Sequence, residues 1–219
     1  ADYGSEIGVD IEGNPVEIAV NEDAATAAIV FKTVVDPFIG KLTFVKVVAG
    51  KLTADSPVIN MRTGEQERMI KMYYMCGKKQ EETKCICAGD IGAIPKLQHT
   101  NTGDTLCSPT RKVVLEGVTY PEPVLSMAIL PKQKGEEDKV AQGVLRLLEE
   151  DPTLKFVNNA ETHQMILSGL GEQHLDVVVS KLKGKFGLDV TLEKPKVAYR
   201  ETIRKKVQAQ GKHKKQTGG

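Results

Sequence analysis

The residues best equipped for chemistry in this chain are four cysteines, Cys76, Cys85, Cys87 and Cys107, and His174, which sits one residue before an apolar helical stripe. A zinc site would place thiolates in pairs with about two intervening residues, yet only Cys85 and Cys87 are close, with one residue between them. On a strand that spacing turns both thiols to one face. The pattern reads better as reduced thiols than as a metal centre, so no metal is expected. A phosphate loop would be another route to chemistry, but nothing in the chain fits G-x-x-x-x-G-K-[ST]. Asp10-Ile11-Glu12-Gly13 fits the loose D-x-x-G pattern and, lacking such a loop upstream, reads as a turn. Phosphoryl transfer needs a cradle of amides, a lysine and magnesium ligands together, so no catalytic residue is assigned.

Charge offers a second kind of chemistry. The net charge is +1, but residues 196–219 hold eight Lys or Arg against one acid, which leaves 22 basic and 28 acidic groups in the rest of the chain. A basic end on an acidic body suits a polyanion or is simply a solvated tail. The chain is 40% hydrophobic and 27% charged, and no run of about 18 apolar residues offers a membrane span. The start has neither the basic nor the apolar region of a secretory signal and lacks an initiator Met. The expectation is a section of a longer, membrane-free protein.

The element that must position His174 spans Met165 to Val190. Alternation from Met165 to Leu170 predicts a strand, Gly171 breaks it, and Leu175, Val178, Val179, Leu182 and Phe186 form one helical stripe that Gly187 closes. LDVTLEK then restarts the period of two. Upstream, VLSMAILP reads as a strand and GEEDKVAQGVLRLLEED as a helix with its acids in the first turn, followed by the strands LKFVNNA and QMILSGL. Strand, helix, strand, strand, helix, strand is the order of a ferredoxin-like α/β sandwich.

Ahead of it, AAIVFKTV, KLTFVKVV, SPVINM, ERMIKMYY, TKCICA, IGAIPKL and KVVLEGV are short strands separated by turn signals, which favours a closed β-barrel. Tyr120-Pro121-Glu122-Pro123 reads as a stiff connector between the two units. Residues 1–23, with Gly4, Gly8, Gly13 and Pro15, read as a linker. Beyond Pro195, VAYRETIRKKV reads as one more strand and GKHKKQTGG as a basic loop.

VVDPFIGKLTFVKVVAGKL, AGDIGAI with HTNTGDTL, YPEPVLSMAILPK, LEEDPTLKF, ILSGLGEQHLDVVVSKLK, and KPKVAYRETI with GKHKKQTGG together resemble bacterial elongation factor G, the ribosomal translocation GTPase, over nearly the whole chain from Ala27. The resemblance implies a multi-domain chain, β plus α+β: residues 24–117 as the family's second domain, a translation-factor-type β-barrel, 118–195 as its third, and 196–219 as the truncated start of its fourth, with residues 1–23 leading out of a GTPase domain. A paralogue of the factor, or a ribosome-protection protein of the tetracycline-resistance type, shares this layout; an autonomous cysteine metal or redox module is the reading from another class.

By the same resemblance the chain is cytoplasmic and monomeric. Its partners would be the ribosome, through ribosomal RNA and proteins, transfer and messenger RNA through the fourth domain, and the protein's own GTPase domain. GTP and magnesium would belong to the full-length protein and none to this section. On the barrel, Lys41, Lys46, Arg62 and Arg68 are candidate contacts to ribosomal RNA, though such side chains are more often merely solvated, and Gly40 is a candidate for special backbone angles or close approach. Pro121, Pro123, His174 and Val178 resemble positions near the cleft that faces the GTPase domain, where fusidic acid binds; a partly buried structural histidine is the competing reading for His174. Lys212, Lys214 and Lys215 resemble the arm that reaches the decoding centre.

Overall fold

The chain opens with a hairpin, β1 (Ser5–Asp10) and β2 (Pro15–Ala19), in the computed structural model, which describes residues 4–36, 40–77 and 79–212. These residues were expected to form a linker. They instead pair with each other from Ser5↔Ala19 to Val9↔Pro15, and Ile18 is fully buried. The D-x-x-G stretch is the hairpin turn: the Asp10 carboxylate accepts the Glu12 amide at 2.9 Å and the Asn14 amide at 2.8 Å, the self-capping that suits Asp to turns. Glycines mark the turn and the strand's close packing, and so hide the hairpin from a reading based on alternation.

Two ten-residue strands follow, β3 (Ala27–Asp36) and β4 (Gly40–Ala49), rich in Val, Thr and Phe that suit a pleated surface. Gly40 has φ of +83° and a Cβ built on it would meet nothing within 4 Å, so it answers a backbone requirement and not a close approach. Phe38 and Ile39 lie outside the described residues. The first unit continues through β5 (Lys51–Thr53), β6 (Pro57–Asn60), β7 (Gln66–Arg68), β8 (Met72–Cys76), β9 (Lys79–Thr83), β10 (Cys85–Cys87), β11 (Ile91–Pro95), β12 (Thr105–Cys107) and β13 (Val113–Leu115). ERMIKMYY, read as one strand, is split into β7 and β8 at fully buried Met69, whose carbonyl accepts the Asp55 amide at 2.8 Å.

Eight of these strands form an antiparallel sheet in the order β7-β6-β12-β3-β4-β11-β8-β9. The sheet curls: Val58 of β6 and Met72 of β8, near opposite ends of that order, share one core with Val30, Val45 and Leu106. The β5–β10 pair lays Leu52 and Ile86 over the same core. The β1–β2 hairpin joins β13 and closes a second cluster around Ile18, Val48 and Cys107. A β-barrel architecture is thus completed by residues of the stretch expected to be a linker.

The second unit runs β14 (Leu125–Pro131), α1 (Glu137–Glu150), β15 (Lys155–Asn159), β16 (Gln164–Gly169), α2 (Glu172–Phe186) and β17 (Val190–Glu193). Its sheet order, β15-β16-β14-β17, is all antiparallel, with the helix stripes Val140, Val144, Leu147 and Leu175, Val178, Leu182 packed on it. This is the ferredoxin-like sandwich that the two periodicities predict. Helix α2 ends at Gly187, where the Leu188 amide reaches back to the Leu182 carbonyl at 3.2 Å. No strand forms over residues 195–212, although one was expected. Among the described residues no neighbouring strand pairs with the run, and an unpaired strand satisfies neither its backbone nor its apolar face. No helix among the described residues is long and apolar enough to cross a membrane.

Candidate functional site

The two units meet where the β3–β4 hairpin reaches the C-terminal ends of α1 and α2. Val35 and Lys41 are cross-strand partners, and each sends one contact to the end of α1. The Val35 amide donates to Glu150 Oε1 at 2.7 Å, and the Lys41 ammonium lies 3.5 Å from Glu149. From α2, Lys185 donates to Glu150 at 2.5 Å and to the Val35 carbonyl at 3.2 Å, and Lys181 reaches Glu150 at 3.3 Å. Val35 therefore has both its amide and its carbonyl engaged across the junction. Burial alone would raise the Glu150 carboxyl, but Lys185, the Val35 amide and Lys181 outweigh it and hold it below the ordinary carboxylate value.

A second polar network braces the barrel side of the same junction. Buried Asp104 takes a bidentate contact from Arg62, Nε at 2.6 Å and Nη2 at 2.9 Å, plus the Asn60 side-chain amide at 2.8 Å and the Asn101 amide at 2.8 Å. Burial would raise this carboxyl as well; Arg62, Asn101 and Asn60 together keep it lowered. Buried Glu67 accepts the His99 amide at 2.6 Å and the Thr100 hydroxyl at 2.9 Å. The loop between β11 and β12 is thereby fixed by two carboxylates, and it presents Asn101 to Lys41 at 3.3 Å. A cleft of about 340 Å³ lies between this loop and α1, lined by Asn101, Thr102, Leu145, Leu148, Glu149 and Pro152.

His174 lies in the first turn of α2, and both ring nitrogens are engaged. Nδ1 accepts the Leu170 amide at 3.1 Å, which leaves the proton on Nε2 to donate to Asp151 at 2.8 Å. The ring ties the corner after β16 to the residue that ends α1. Asp151 would be raised by burial, but Thr153 and His174 hold it below its usual range. The neutral tautomer meets every hydrogen bond the ring can make, which is what a positioning histidine requires.

The remaining predicted residues are dispersed. Lys46 pairs with Glu6 at 2.7 Å and Arg68 with Asp55 at 3.3 Å, so all four barrel cations face a carboxylate. Pro121 is exposed and Pro123 half-buried in the connector that leads into β14. Val178, placed by resemblance beside a cleft, is 2% exposed and belongs to the core of the second unit, because it falls on the inward stripe of α2. Lys212 is exposed, while Lys214 and Lys215 lie outside the described residues. The Cys85 and Cys87 sulfurs are 3.7 Å apart, Cys76 is exposed and Cys107 buried. Among the described residues no group of three or more His, Cys, Asp or Glu is placed to hold a metal ion.

Sequence reasoning missed Glu149, Glu150 and Asp151. A signal was present: two acids in the last turn of a helix and a third just beyond it oppose the macrodipole, where cations are favoured, and α1 has no basic residue there. Such a placement persists when partners elsewhere in the fold compensate it.

Two family models match the chain: elongation factor G domain 2 over residues 25–109 and elongation factor G domain III over residues 120–194. Elongation factor G of Fervidobacterium nodosum is 42% identical over 212 residues, 97% of this chain and 31% of that protein. A crystal structure of a Thermus thermophilus protein matches with a TM-score of 0.73 at 31% identity, covering 84% of this chain and 28% of that one. The chain thus spans about a third of the length of its curated relative. Barrel, sandwich and the sequence that joins them agree in one conclusion: the chain belongs to the elongation factor G family.

Proposed function

We propose that this chain is the section of a ribosomal translocation GTPase that docks on the ribosome and passes movement from a GTP-hydrolysing domain to transfer and messenger RNA. What supports this is continuity: the identity with elongation factor G runs through both units and across the junction, over 97% of the chain. A mechanical role also suits the geometry. Two rigid units joined by a Pro-containing connector and by a small polar junction can reorient as bodies, the default for domain contacts of this kind.

In this reading residues 24–117 are the second domain with the β1–β2 hairpin attached to it, 118–195 the third, and 196–219 the opening of a fourth. Lys46 and Arg68, with side chains 43% and 73% exposed, remain available to ribosomal RNA phosphates if their carboxylate partners are exchanged. Lys41 and Arg62 are committed to the junction and its brace. Pro121, Pro123 and His174 border the face toward the GTPase domain, and Lys212, Lys214 and Lys215 approach RNA. The setting is cytoplasmic and the chain monomeric.

GTP and magnesium do not fit the residues present. The chain has no phosphate loop, and among the described residues no group of three or more His, Cys, Asp or Glu is placed to hold a metal ion. The chain's own part is to hold two bodies in register while chemistry proceeds elsewhere. Ribosome co-sedimentation of this chain against a version extended N-terminally by a GTPase domain, with GTP hydrolysis followed in parallel, tests the proposal. Binding and ribosome-stimulated hydrolysis are expected of the extended protein. Failure of that protein to bind or to be stimulated would overturn the assignment.

A further inference from the structure

We propose that Cys85 and Cys87 form an open two-thiolate site for a thiophilic divalent cation on the outer face of the barrel. The geometry is set by the fold. Ile86 between them is fully buried in the barrel core, so alternation along β10 turns both cysteines outward together, and both are partly exposed. The strand is held in place by pairing with Thr53, Leu52 and Lys51 of β5. Its carbonyls are anchored too: the Thr83 hydroxyl donates to the Cys85 carbonyl at 2.8 Å, and the Asp90 amide to that of Cys87 at 3.0 Å.

The sulfur separation decides between the two reactions open to such a pair. The sulfurs stand 3.7 Å apart. A metal–sulfur bond of about 2.3 Å with a tetrahedral angle holds two sulfurs about 3.8 Å apart, so an ion enters with almost no movement. A disulfide needs them at about 2.05 Å, with Cα atoms most often about 5.5–6 Å apart. Alternate residues of an extended strand are already separated by about 6.6–6.8 Å, so closure would have to bend a strand whose central side chain is locked in the core.

The step balances simply: two thiols lose their protons to solvent, the cation takes two thiolates, and the local charge is unchanged. Water fills the remaining ligand positions, which makes the site open and exchangeable instead of a closed structural centre. Lys51 is cross-strand from Cys87 and ion-paired to Glu22 at 2.9 Å, and Tyr74 donates to Asp90 at 2.7 Å, so the nearby charges are mutually engaged.

Titration of the chain with Cd²⁺ alone, read by thiolate-to-cadmium absorption and by proton release, tests the site. Saturation at one ion per chain with two protons released is expected. Cys85→Ser and Cys87→Ser should each weaken binding at least about tenfold, the scale reached when even a supporting residue is lost, whereas Cys76→Ser should leave it unchanged. Should a serine variant lose its fold, alkylation of the unmodified chain supplies a second readout: Cd²⁺ should shield Cys85 and Cys87, and not Cys76, from iodoacetamide. Binding unaffected by either substitution, or equal labelling of the pair with and without Cd²⁺, would overturn the proposal.

Discussion

Glu150, the last residue of α1, accepts the backbone amide of Val35 from the barrel hairpin at 2.7 Å, so a carboxylate at the end of a helix also spans the domain boundary. Its side chain is 8% exposed and is balanced by Lys185 and Lys181. A carboxylate so enclosed is stable only while its donors stay in place, and two of the three come from α2 while the third comes from the other unit.

Replacing it separates those roles. Glu150→Ala should leave the Val35 amide without an acceptor and cost about 1–3 kcal/mol, the range for a buried donor left unpaired. Glu150→Gln keeps an acceptor for Val35 and should cost less. Hydrogen exchange at Val35 is the direct readout: it should accelerate about tenfold or more in the alanine variant and less in the glutamine one. Unchanged exchange in both would mean that the junction is held by other contacts.

Acid should open the junction. Glu150, Asp104 and Asp151 all titrate below their ordinary values of 4.5, 3.8 and 3.8 in the folded chain. Each unfolded carboxyl therefore takes up its proton at a higher pH than the folded one. Their stabilisation is complete above about pH 5 and is lost as pH falls through the lowered folded values. Urea midpoints should be level, as far as these groups act, between about pH 5 and 7 and should fall steadily below about pH 4. A chain carrying Glu150→Gln should show a shallower fall.

Much of this architecture is legible in the sequence, and the parts that are not share a cause. The sandwich can be read nearly element by element because helices of 14 and 15 residues carry clear stripes and its strands alternate. The β1–β2 hairpin cannot, since glycines interrupt its period, and three-residue strands such as β5 and β12 are too short to show one. Candidate cations can be picked from the strands, but their neutralising partners cannot. Lys41 meets Glu149 and Arg62 meets Asp104 only after folding brings distant segments together. His174 is conspicuous by its place at a glycine corner, but its partner Asp151 is hidden beyond the end of α1.

The Arg62–Asp104 pair should respond unequally to its two halves. Asp104→Ala removes one acceptor each from the Asn60 side-chain amide, the Asn101 backbone amide and Arg62, and Asp104 has only 4% of its side chain exposed. A loss of about 2–4 kcal/mol is expected. Arg62 is 52% exposed, so Arg62→Ala leaves Asp104 with two good donors and should cost about 1 kcal/mol or less. Chemical denaturation of the two variants measures the difference. Equal losses would show that the ion pair itself, and not the buried carboxylate, holds the loop.

His174 can be divided between its two hydrogen bonds. His174→Ala removes both and should cost about 1–2 kcal/mol while freeing the Leu170 amide to exchange. Asparagine can place an oxygen near the position of Nδ1 and should restore protection at Leu170 without reaching Asp151. Glutamine is long enough to set an amide near Nε2 and should restore the contact to Asp151 while leaving Leu170 exposed. Exchange at Leu170 and stability toward urea therefore report separate halves of one ring. If alanine matched the native chain in both, the histidine would not be holding the corner after β16 to the end of α1, and its place in the first turn of α2 would have to be explained by contacts outside this chain.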